Sequence, residues 1–204
     1  MPANDSLIRA DRILLLVLGA RRAGKQPLSL EEIQAGYYLW DVLVYLQRGY
    51  SLDPSHLISS TGTLDDTDVA KSVFRLVHSG LLDVTGDDVE VFAANEHSFH
   101  YEKAMRPSAE WRNDLDWATA FVDVLGSGNR RLSDHVHFEP QWRFWSKKPG
   151  SLMEADVEGG LEGSSDWLNN LRDRGGTMLA DDERALRLAF AKLLTGVARF
   201  EADQ

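Results

Sequence analysis

Four of the six histidines fall in two close pairs, and paired imidazoles are the first chemistry to test. In Asp134-His135-Val136-His137-Phe138-Glu139, an extended backbone would turn both rings to one face, as a metal pair requires. In His97-Ser98-Phe99-His100-Tyr101-Glu102, one helical turn would do the same. Brought together, His97, His100, His135 and His137 would hold Zn²⁺ or Fe²⁺ with help from a carboxylate. Against this, the spacing matches no named metalloenzyme motif, and polar residues on an ordinary surface explain it as well. The chain has no cysteine, which excludes disulfides, thiolate metal sites and Cys nucleophiles. No Gly-x-Ser-x-Gly elbow is present. The acid pairs Asp65-Asp66 and Asp181-Asp182 stand at expected helix starts, where capping accounts for them.

A second pattern runs from Arg130 to Lys148. It carries Arg130, Arg131, Arg143, Lys147 and Lys148 against two acids, Asp134 and Glu139, with Phe138, Trp142, Phe144 and Trp145 interleaved. Such a mixture stacks bases while cations meet phosphates, and it also describes the anchors of protein interfaces. A core strand with solvated basic neighbours is the third reading. On an extended segment, residues three apart point to opposite faces, so one of Trp142 and Trp145 is expected to be buried and the other exposed. The interface expectation names Arg130, Arg131, Trp142, Arg143, Trp145 and Lys147. A third pattern, Gly19-x-x-x-x-Gly24-Lys25, looks like a phosphate-cradling loop. It is better read as a basic turn, because Gln26 stands where a Mg²⁺-binding hydroxyl is needed and Pro27 opposes a helix start there.

These residues must be placed by the elements around them. A first helix is expected over about 7–18, ending at Gly19. Ser29 and Glu32 have capping-box spacing and open a second helix through Leu46 that is apolar nearly all round, so it should sit in the middle of the fold. Asp66 or Thr67 caps a third helix with Val69, Val73, Leu76 and Val77 at helical spacing, stopped by Gly80. Alternation of Leu82 with Val84, and of Val89 with Val91, around Gly86-Asp87-Asp88 gives a hairpin. Three helices and a hairpin are the order of a winged helix, assigned here to residues 1–95. The remainder, 96–204, is expected to be a helical region. It has a helix over about 109–125 with Trp111, Leu115, Ala118, Val122 and Leu125 on one stripe. A flexible acidic loop is expected at about 149–166, and a final helix from about Asp181 to Phe200.

Composition bounds what such a fold does. Of 204 residues 43% are apolar and 26% charged, which excludes global disorder, and a net charge of −10 argues against binding nucleic acid over the whole surface. In a DNA-reading winged helix the third helix enters the major groove; here it carries Lys71, Arg75 and His78 together with Asp66 and Asp68. Residues 1–102 hold 8 Lys/Arg against 15 Asp/Glu, and the hairpin tip is acidic, so phosphate would be repelled except by a local basic patch or within a complex. No secretory signal opens the chain and no apolar run approaches a membrane span, so a soluble cytoplasmic protein without membrane contact is expected.

The stretch Leu14–Leu18, Gly24-Lys25-Gln26-Pro27-Leu28-Ser29, Ile33-Gln34 and Tyr37-Tyr38-Leu39, followed by Leu76-Val77-His78-Ser79-Gly80-Leu81-Leu82, resembles the N-terminal part of bacterial winged-helix proteins. Toxin–antitoxin-associated and defence-system accessory proteins carry that pattern. It is also similar in outline to the small middle components of bacterial ABC-three-component systems. The sequence therefore points to an α+β, mainly helical protein: an N-terminal winged helix with a helical C-terminal part. Its expected role is that of a non-enzymatic adaptor or accessory subunit with a protein partner and no cofactor. The alternatives are a DNA-binding regulator and a metal-dependent enzyme using the paired histidines.

Overall fold

The computed structural model describes residues 2–48, 65–86, 89–126, 131–147 and 160–175, and a further helical stretch at 185, 188–193 and 195. The elements are α1 (Pro2–Arg22), β1 (Leu28–Ser29), α2 (Leu30–Arg48), α3 (Thr67–His78), β2 (Leu82–Thr85), β3 (Val91–Ala94), α4 (Glu96–Met105), α5 (Ala109–Leu125), α6 (Leu132–Val136), α7 (Pro140–Trp145) and α8 (Gly160–Gly175). The protein is mainly helical with one small antiparallel sheet. Two compact units are formed, one from Met1–Tyr37 with Asp66–Asp123, the other from Tyr38–Asp65 with Val124–Gln204. A cut at residue 95 does not coincide with this division: α4 packs on β3 and falls, with most of α5, in the first unit. Among the described residues no helix is long and apolar enough to cross a membrane.

In the first unit α1 runs four residues past the expected stop at Leu18. Gly19 does not break it, because the glycine is needed for close packing: a Cβ there would lie 2.8 Å from the backbone of Ala118 on α5. The stop falls at Gly24 instead, whose φ of +68° suits glycine, with Gly24 N–H donating to Arg21 O and Lys25 N–H to Ala20 O. Both glycines of the would-be phosphate loop thus have structural duties. Ile13 to Leu18 are buried all round, as are Ile33, Ala35 and Tyr37 at the start of α2. Ser29 and Glu32 make the expected reciprocal cap, Ser29 N–H donating to the Glu32 carboxylate at 2.9 Å and Glu32 N–H to Ser29 Oγ at 3.2 Å.

The sheet runs β1-β3-β2, with Leu28 opposite Phe92 and Leu82 opposite Ala94. The hairpin is where expected, but the inward phase of its second strand is shifted by one residue. Phe92 and Ala94 face the core, whereas Val89 lies outside the strand and is 63% exposed. Because strand side chains alternate with period two, a one-residue shift exchanges the faces. The large Phe92 ring wins the interior and meets Phe74 edge-on at 5.8 Å.

In the second unit, the segment expected to be extended forms two short helices, α6 and α7, and α7 packs on α8. The acidic loop expected at 149–166 gives way to helix from residue 160; residues 149–159 lie outside the described set. Described residues of the expected last helix are helical, with Phe190 buried near Trp167 at 6.1 Å between ring centroids.

Candidate functional site

Helix α3 is fixed from its inner side. Asp66, itself fully buried, caps the helix by accepting from Asp68 N–H at 3.1 Å and Val69 N–H at 2.9 Å, and Gln34 Nε2 donates to its carbonyl. Val69, Ser72, Val73 and Leu76 are buried, and α3 packs against α1 and β2. At the far end Gly80, φ +74°, closes the helix, with its N–H donating to Val77 O and that of Leu81 to Leu76 O. Amphipathic spacing then leaves the opposite face outward.

That outer face is a shallow, open depression lined by Thr67, Ala70, Lys71, Phe74, Arg75 and His78. The half-buried Ala70 and Phe74 form an apolar floor, and the exposed Lys71, Arg75 and His78 form its rim. Lys71 Nζ pairs with Asp68 at 3.0 Å, in the exposed setting where such pairs stabilise by about 0–1 kcal/mol. Arg75 donates to Ser6 Oγ on α1, and His78 Nδ1 donates to Phe74 O at 2.7 Å. Leu7, next to that serine, is 70% exposed. The three residues expected for nucleic-acid contact are therefore brought to one face. On the hairpin, Val84 and Val89 are exposed, and the acidic tip residues Asp87 and Asp88 lie outside the described residues.

The interface expected around Trp142 and Trp145 is corrected. Both indoles are buried, at 2% and 6% exposure, because residues three apart share one face of a helix instead of opposing each other on a strand. Arg131, Arg143 and Lys147 are exposed; Arg130 lies outside the described residues. Arg143 Nε donates to His137 O at 3.2 Å, and its guanidinium lies 5.5 Å from the Phe138 ring centroid. What the sequence did not reveal is the carboxylate beneath these residues. Glu139 is fully buried at the N-cap of α7 and accepts from Tyr38 Oη at 2.7 Å, Trp142 N–H at 2.7 Å and Ser164 Oγ. Burial pushes its carboxyl above the usual carboxylate range, opposed by the Ser164 and Tyr38 hydrogen bonds. Burial, reinforced by the Glu139 charge, likewise raises the Tyr38 phenol well above its ordinary value. The cluster ties α2, α7 and α8 together. Its one sequence signal is Glu139-Pro140, an N-cap acid before a first-turn proline.

The metal expectation also fails among the described residues, where no group of three or more His, Asp or Glu side chains is arranged to hold an ion. His97 and His100 are exposed on α4, in the first unit. His135 and His137 belong to the second, and helical backbone separates them: His135 is buried and His137 exposed at the C-cap of α6. A charged cluster in the first unit is structural. Arg22 bridges Glu102 at 2.8 Å and Asp116 at 2.9 Å, while Arg106 reaches Glu102 at 3.3 Å. Burial alone would raise the Glu102 carboxyl, but the two guanidiniums outweigh it and hold it below its usual value. On α1, burial raises the Asp11 carboxyl against hydrogen bonds from Trp111 and Tyr101.

Comparison with protein-family models, with curated proteins and with solved structures returned no match.

Proposed function

We propose that the first unit is a winged helix used for protein contact, and that the protein is a non-enzymatic adaptor or accessory subunit. Supporting the fold reading is the element order, helix, strand, two helices and hairpin, with strand order β1-β3-β2. One observation carries the functional reading: the outward face of α3, where a DNA reader would present donors to base edges, has an apolar floor of Ala70 and Phe74 with two cations at its edge. The surrounding charge agrees. The residues of this unit include 16 Asp/Glu against 10 Lys/Arg, so backbone phosphates would meet net repulsion. The DNA-binding regulator is the second reading, favoured by the convergence of Lys71, Arg75 and His78 on one face.

Titration of a fluorescent duplex with the full chain separates the two. Protein contact predicts no binding below about 100 μM at physiological salt, weaker than ordinary non-specific DNA binding. Micromolar or tighter binding that falls on raising salt and in Lys71→Glu/Arg75→Glu would establish the regulator instead.

A further inference from the structure

We propose that the outer face of α3 receives an acidic amphipathic helix from a partner protein; the inference rests on the protein-contact reading and names the partner's chemistry. Length is the first argument. From Thr67 to His78 the face extends about 16 Å at 1.5 Å per residue, which matches three turns of a docked helix. The floor of Ala70 and Phe74 offers apolar surface to residues at i, i+3 or i+4, and i+7 of that helix, as helix-in-groove recognition requires. Phe74 is held by its edge-on contact with Phe92, so the floor is preorganised and loses little side-chain entropy when covered.

Charge complementarity selects the partner. Lys71, paired with Asp68 at 3.0 Å, and Arg75 lie one turn apart, with His78 one turn further, on a unit whose other residues hold 16 Asp/Glu against 8 Lys/Arg. A helix with an apolar ridge flanked by Asp and Glu gains from this rim, whereas a basic partner meets repulsion at the rim itself. Duplex DNA is selected against by number: it carries a negative charge every ~1.7 Å of axis, and the unit it would approach holds 16 Asp/Glu against 10 Lys/Arg. A short peptide places its few acids on the rim alone.

Selection of 16-residue peptides from a displayed random library, on the immobilised full chain, tests this. The expected survivors carry Asp or Glu flanking apolar residues at i, i+3 or i+4, and i+7. Their affinity should drop at least ~10-fold for Lys71→Glu/Arg75→Glu, since opposed charges become like charges. Both substituted residues are exposed, so a cooperative urea transition with unchanged m and a stability lowered by no more than about 1 kcal/mol verifies the variant's fold. An absence of survivors, survivors without acidic bias, or affinities the double variant leaves intact would overturn the proposal. Basic or uncharged peptides that bind this face would sink the acidic chemistry and leave protein contact standing; tight duplex binding would remove both.

Discussion

Helices α3 and α7 both start from a buried acid cap and mix cations with aromatic rings, yet they spend these residues in opposite ways. In α3 the cap Asp66 and the stripe of Val69, Val73 and Leu76 face the core, so Lys71, Arg75 and the outer edge of Phe74 remain at the surface. In α7 the six residues available bury both Trp142 and Trp145 and leave Arg143 outside. A run of Arg and Trp is therefore no guide to an interface until the backbone period is known. The open face of an amphipathic helix is the better guide, because it is what the core has left uncovered.

The contrast is tested most severely by Trp142→Ala. As a core ring beside Tyr38 it should cost about 3–5 kcal/mol in urea unfolding; a loss below about 1 kcal/mol would return the ring to the surface. Asp66→Ala should cost about 1–2 kcal/mol through the lost cap, measured in the same way. Glu139 has a pH signature. Its carboxyl titrates higher in the fold than the 4.5 of the unfolded chain, so the folded state holds its proton longer. Its contribution to stability is full below that value and declines as pH rises through the folded pKa. Glu139→Gln cannot ionise, so the stability of the native chain relative to this variant should fall as pH rises above 4.5; a flat difference would contradict the burial of the charge. Lys71→Glu/Arg75→Glu should lower stability by only about 1 kcal/mol, through the lost Asp68 pair and Ser6 hydrogen bond.

Features set by neighbouring residues were legible in the sequence: the Ser29–Glu32 box, the Asp66 cap, the stop at Gly80 and the buried stripe of α5. Those set by distant packing were not. Gly19 reads as a breaker unless Ala118 is known to press against it. The two-residue β1 is too short to show alternation, and it exists because β3 offers an edge to pair with. The second histidine pair looked like ligands because periodicity left its backbone open; α6 buries His135, and His137 stands exposed at its C-cap. Of the candidate site, the residues of α3 were visible, but the apolar floor under them was not, since Phe74 lies between the buried stripe and the outer face.

The central claim is that the outer face of α3 meets protein. A photo-crosslinking residue at Thr67, on the edge of that face, can be compared in the native host cell with one at the exposed Glu110 on α5. Irradiation should yield a discrete protein adduct from position 67, lost with Lys71→Glu/Arg75→Glu, and none from position 110. Nucleic-acid adducts at position 67, or the same protein adducts from both positions, would contradict the account.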